Sequence, residues 1–160
     1  MSILKKIHDH KLKFVESQKK IISQREIINK YKLIDSEKSY MFSEKLINEN
    51  NKKISIIGEL KRSSPSAGNI VNENIDLLSI AKKYEENGIS CISVLTDEKY
   101  FNGSVLDLIK IKKNCSVPLL RKDFIVDEYQ LHESKLMGAN CILLILSMLD
   151  DKKACLFEEI

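Results

Sequence analysis

Four short apolar runs constrain the fold more than anything else in the chain: ISIIGEL (54–60), ISCISVL (89–95), VPLL (117–120) and CILLIL (141–146). They are rich in β-branched residues and show little alternation, which marks strands buried on both faces rather than strands with one wet face. Between them lie helical patterns with their own punctuation. One runs over about 73–87 and closes on Asn87-Gly88, and a second covers about 104–113. A third covers about 127–137, with Asp127 and Gln130 as a capping box and Gly138 as the stop. Strand and helix in strict alternation mean parallel strands joined by helical crossovers, so the chain is α/β. Both a small open sheet and the first half of a barrel satisfy the pattern.

The first fifty residues read differently, as two helices and a linker. MSILKKIHDHKLKFVESQKK places apolar residues at Ile3, Ile7 and Phe14, continued by Ile21, with Asp9 and Glu16 interleaved. Helical spacing with a solvated charged face explains this better than a nucleic-acid surface. The net charge of +3, from 26 basic and 23 acidic residues, points the same way. The second helix is expected from about Ser36 to Asn50 on Tyr40, Phe42, Leu46 and Ile47. With 43% apolar and 31% charged residues, the composition is that of a soluble globular domain. Cys141–Leu149, the longest apolar stretch, is too short to span a bilayer, and no signal peptide is visible. The expected location is cytoplasmic. Cys91, Cys115, Cys141 and Cys155 form no CxxC pair and have no histidine at metal-ligand spacing, so reduced thiols and no metal are expected. SMLDDKKACLFEEI opens a helix on Asp150 or Asp151 and stops before the strand such a helix should lead to, so the sequence reads as truncated.

In α/β sheets and barrels the chemistry gathers at the carboxyl ends of the strands. The first run ends in Glu59, Leu60 and Lys61; residues two apart share a strand face, which brings Glu59 and Lys61 to one side about 7 Å apart. Such a pair serves equally as a structural ion pair or as a substrate-binding pair. RSSPSAGNI then offers hydroxyls and backbone amides in a turn held by Pro65 and Gly68, suited to an anion or to a plain loop. The third run ends PLLRKDF, so Lys122 emerges at a strand terminus, where it is a general acid, an anion ligand or a solvated lysine.

Taken together, GELKRSSPSAG, ISVLTDEKYFNGS and PLLRKDFIVDEYQ resemble the first three strand segments of the indole-3-glycerol-phosphate synthase family. ILKKIHDHK is similar to its leading helix and GANCILLILSMLDD to its fourth strand. The resemblance implies a TIM (β/α)8 barrel family fold, here as a half-barrel. Residues 1–50 would be an N-terminal helical extension and 51–160 the first four βα units of one truncated domain. It implies a carboxy-lyase of tryptophan biosynthesis that converts 1-(2-carboxyphenylamino)-1-deoxyribulose 5-phosphate to indole-3-glycerol phosphate with loss of carbon dioxide and water. No cofactor is implied. By the same resemblance Lys122 is the general acid, Glu59 the acid/base carboxylate and Lys61 the cation that holds anionic substrate groups, with Ser64 beside it. Phe101, in KYFNGS, would offer a flat wall to the anthranilate ring, with Phe124 and Leu143 completing the pocket, while Asn102 and Gly103 turn the chain into the next helix.

The implied partner is a phosphorylated small molecule, with neither nucleic acid nor membrane. A complementary C-terminal half-barrel or a fused phosphoribosylanthranilate isomerase domain would be the macromolecular partner. The alternative reading is a catalytically inactive remnant or a half-barrel that needs a second chain. Another phosphate-handling barrel, such as phosphoribosylanthranilate isomerase itself, fits the KDF lysine and the SPS turn less well.

Overall fold

The structure is a computed structural model that describes residues 2–32, 41–47, 54–71 and 75–160. Along the chain, α1 (Ile3–Ile21), α2 (Gln24–Lys32) and α3 (Met41–Leu46) precede β1 (Ile57–Leu60). A small hairpin of β2 (Ser63–Ser64) and β3 (Gly68–Asn69) leads to α4 (Leu77–Glu86), β4 (Cys91–Leu95), α5 (Glu98–Phe101) and α6 (Val105–Asn114). Then come β5 (Leu119–Lys122), α7 (Tyr129–Leu136), β6 (Cys141–Ile142), a 3-10 turn at Leu146–Met148, and α8 (Asp151–Glu159). Four strand-then-helix repeats on a parallel sheet, behind an N-terminal helical segment, make a partial (β/α) barrel. Among the described residues no helix is long and apolar enough to cross a membrane.

The chain forms two compact units, the first from Met1–Glu37, Phe124–Leu136 and Ile142–Ile160, the second from Lys38–Asp123 and Met137–Cys141. In the second, the sheet order is β1-β4-β5-β6. The register pairs Glu59 with Ser93 and Leu60 with Val94 across β1 and β4, then Ser93 with Leu120 and Leu95 with Lys122 across β4 and β5. Paired residues share a face, and residues two apart share it too. One face therefore carries Glu59, Ser93, Leu95, Leu120 and Lys122. The other carries Leu60, Ile92, Val94 and Leu119, which pack with Leu77 and Ala81 of α4 and Leu108 and Ile111 of α6 in one buried cluster. Each such fully buried aliphatic side chain stabilises the fold by roughly 1.5–3 kcal/mol. Asn140 ties β5 at its start, donating its backbone N–H to the Leu119 carbonyl (2.8 Å) and accepting from the Leu119 N–H (3.1 Å).

In the first unit, Val15 of α1, Ile27 of α2 and Tyr129 of α7 share a buried cluster, and Ile125, Leu131 and Phe157 of α8 share another. The buried stripe of α1 is Ile7, Lys11 and Val15. Ile3 and Ile21, which helical spacing assigns to the apolar face, are exposed at the two ends of the helix, where its stripe outruns the packing surface.

Element boundaries differ from the sequence pattern for identifiable reasons. The first helix ends at Ile21 because Ser23 and Glu26 form a reciprocal capping box: the Glu26 carboxylate accepts from the Ser23 N–H (2.9 Å) and the Ser23 hydroxyl from the Glu26 N–H (3.3 Å), which starts α2. Of the helix expected over 36–50, Met41–Leu46 is helical, and positions 36–40 and 48–50 lie outside the described residues. At the start of α7, Asp127 caps the Tyr129 N–H (2.9 Å), but Gln130 reaches one residue further back than a capping box requires. It accepts from the Val126 N–H (2.9 Å) and donates to the Phe124 carbonyl (3.0 Å). Strand β1 begins only at Ile57 and β6 ends at Ile142; both lie at the edges of the sheet, where a ladder has a partner on one side only. RSSPSAGN is a hairpin rather than a plain loop, with Ser63 opposite Asn69 and Ser64 opposite Gly68, whose φ of 64° suits glycine.

Candidate functional site

The carboxyl ends of β1 and β5 meet over β4. Lys122 and Glu59 lie two strands apart, about 10 Å between backbones, and their extended side chains close that gap in an ion pair between Lys122 Nζ and Glu59 Oε2. Lys61 Nζ takes the other carboxylate oxygen, Glu59 Oε1, at 2.5 Å. One carboxylate is thus bridged by two ammonium groups, which leaves the trio with one net positive charge. None of the three is sealed off: the side chains are 29% exposed for Glu59, 30% for Lys61 and 37% for Lys122. Burial by itself would raise the Glu59 carboxyl. The hydrogen bonds and charges of Lys122 and then Lys61 outweigh it and hold Glu59 below the usual carboxylate range. Glu59 is consequently a carboxylate at neutral pH, and the two lysines present donors to an incoming anion.

Two segments follow β1 and β4 along the chain. The β2–β3 hairpin follows β1 directly, and the Arg62 carbonyl accepts from the Ile70 N–H (2.8 Å) to close it. Ser64 sits in β2 with its hydroxyl accepting from the Ala67 N–H (3.1 Å). Helix α5 packs against β2 and carries Phe101, which is half-buried. KYFNGS is therefore a helical turn and its exit. Buried Asp97 caps α5 by accepting from the Tyr100 N–H (2.7 Å), Asn102 takes the left-handed conformation (φ 48°), and Ser104 caps α6 by accepting from the Leu106 N–H (3.1 Å). Phe124, buried, and Leu143, exposed, belong to the first unit.

Sequence reasoning passed over two arrangements beside the trio. Arg62 makes a two-pronged pair with Asp107 of α6, through Nη1 to Oδ2 and through Nη2 to Oδ1 at 3.1 Å, and so ties the hairpin to that helix. A separation of 45 residues leaves no local signal for it. The second is a buried group on the opposite face of β5, where Arg121 and Asp123 flank Lys122 and meet Thr96. Here the alternation of LRKDF was the available signal, since residues two apart share a face. Among the described residues no group of three or more His, Cys, Asp or Glu side chains could hold a metal ion.

The family model described as Indole-3-glycerol phosphate synthase matches residues 4–159. An indole-3-glycerol phosphate synthase of Thermoanaerobacter pseudethanolicus is 47% identical over 150 residues, covering 94% of this chain and 55% of that protein. Those of Clostridium acetobutylicum and Clostridium kluyveri are 42% and 44% identical, over 95% and 93% of this chain and 56% and 55% of theirs. The chain spans about half the length of the curated relatives it matches. With a family match over residues 4–159 and relatives above 40% identical over more than nine-tenths of it, the chain belongs to the indole-3-glycerol phosphate synthase family.

Proposed function

We propose that these 160 residues carry the acid/base half of an indole-3-glycerol phosphate synthase active site, and that turnover requires the complementary half. The observation that carries the reading is the Glu59 carboxylate bridged by Lys61 and Lys122 over the carboxyl ends of β1 and β5. In the ring closure of 1-(2-carboxyphenylamino)-1-deoxyribulose 5-phosphate, an aromatic carbon attacks the ketone carbon. Lys122 gives a proton to the ketone oxygen as that bond forms, carbon dioxide leaves from the attacking ring carbon and restores its aromaticity, and Glu59 takes a proton from the methylene carbon beside the nitrogen and passes it to the hydroxyl, which departs as water as the ring double bond forms. Lys61 holds an anionic group of the substrate, with Ser64 beside it, and Phe101 faces the aromatic ring. The phosphate of such a substrate is gripped in barrels of this type by loops after the last strands, which correspond to no part of these residues. Without that grip the reacting atoms are not held in line, so the acid/base trio alone gives no useful rate.

The test mixes this chain with a fragment of a family member carrying strands five to eight and follows indole-3-glycerol phosphate by its fluorescence. Neither piece alone should turn over, and the mixture should. Lys122→Met in the mixture should lower kcat by about 100-fold to 10,000-fold, with a much smaller change in KM. Turnover by the 160 residues alone, or a near-parental kcat for Lys122→Met, would overturn the reading.

A further inference from the structure

We infer that the buried group formed by Thr96, Arg121 and Asp123 positions Lys122, an inference that rests on the general-acid reading of that lysine. Arg121 and Asp123 flank it in sequence and point to the other face of the sheet, where each side chain is only 2% exposed. Arg121 Nη2 donates to Asp123 Oδ2 (3.1 Å) and Arg121 Nε to the Thr96 hydroxyl (3.2 Å), which in turn donates to Asp123 Oδ2 (2.7 Å). The backbone of the same threonine donates to the Lys122 carbonyl (3.1 Å). Thr96 therefore grips residues 122 and 123 together, one through its N–H and one through its hydroxyl.

A buried ion pair is a poor device for stability alone, because desolvation of both charges consumes most of their attraction. What this one does is fix the peptide plane on either side of Lys122. Lysine has a long flexible side chain, and its ammonium must cross the width of β4 to reach Glu59. Rotation of the backbone at residue 122 moves the root of that side chain and redirects the ammonium relative to the carboxylate. The group on the opposite face removes that rotation. Thr96, Arg121 and Asp123 are accordingly positioning residues, acting through Lys122.

Trace acetylation with acetic anhydride, read by mass spectrometry, tests this on the intact chain without substrate. Lys122 is compared with Lys19, whose ion pair with Asp127 (2.8 Å) lies in the first unit. Thr96→Val, which keeps the shape and removes the hydroxyl, should raise the Lys122 to Lys19 labelling ratio roughly threefold, the size of change an ion pair of this exposure supports. Thr96→Ser, which restores the hydroxyl, should return the ratio to the parental value. Should the valine variant not fold, Thr96→Ala carries the same test without a methyl group forced against the carboxylate. An unchanged ratio in a folded variant, equal rises at both lysines, or a serine variant that behaves like valine would each overturn the inference. Because labelling needs no turnover, a failure here is distinct from a failure of Lys122→Met to lose activity.

Discussion

Replacing Gly103 by alanine should loosen the whole corner between β4 and α6. The Gly103 N–H donates to the Asp97 carbonyl (2.9 Å) at the exit of α5. A Cβ added there would lie 2.8 Å from the carbonyl carbon of Leu95 and 3.1 Å from the Asp97 carbonyl oxygen, with the Leu95 carbonyl oxygen nearer still. Comfortable contact needs about 3.5–4.0 Å, so the connection must retreat from β4 by about 1 Å, and every neighbour involved is backbone. Overpacking of this kind costs about 1–3 kcal/mol, and the strained or broken Gly103 bond adds about 1 kcal/mol. The expected loss is about 2–4 kcal/mol. With a urea dependence of about 2 kcal/mol per molar, the unfolding midpoint should fall by about 1–2 M. Asn102→Gly is the matched control: it relieves a left-handed residue while loosening the unfolded chain, two effects of under about 1 kcal/mol each that oppose one another. A midpoint for Gly103→Ala equal to the parent's, or an equal loss in both variants, would refute the reasoning.

Glu59→Gln should change how stability responds to acid. Because the folded carboxyl sits below its ordinary value of 4.5, its contribution is whole above pH 4.5 and is lost as pH falls through the lower folded value. A plot of Tm from pH 7 to pH 3 should therefore show the parent losing its advantage over the glutamine variant below pH 4.5, and a constant difference across that range would refute it. The cysteines should separate by burial: exposed Cys155 should react with a disulfide reagent at once, whereas Cys91 and Cys115, buried and with thiols pushed up by that burial, should react only as the chain unfolds. Prompt reaction of all three in the folded chain would contradict the packing.

The parallel α/β order was legible because doubly buried strands need apolar side chains on both faces, and β4, buried at every position, satisfies that most fully. The charged trio was legible as types and places, since strand alternation alone brings Glu59 and Lys61 to one side. What the sequence could not supply was distance across strands: that Lys122 reaches Glu59 over β4 depends on register, and register is a property of the assembled sheet. The same limit hid the Arg62–Asp107 pair. Helix α2 was missed, being read as part of the linker, although Ser23 and Glu26 supply a local start signal for it. The hairpin at 63–69 was missed because two-residue strands are too short to show any period.

The alternation along Arg121, Lys122 and Asp123 also restricts which changes of chain length this protein can accept. A one-residue deletion inside β5 would turn every side chain beyond it to the other face, setting an aspartate where Lys122 meets Glu59 and driving the lysine among Leu60, Ile92 and Val94. The turn at 115–118 bears no such parity, because residues can be added before the ladder begins without altering which side any later one faces. Among homologues, gaps should therefore avoid 119–123. A substitution can exchange one group for another at this strand, but an insertion or deletion exchanges inside for outside.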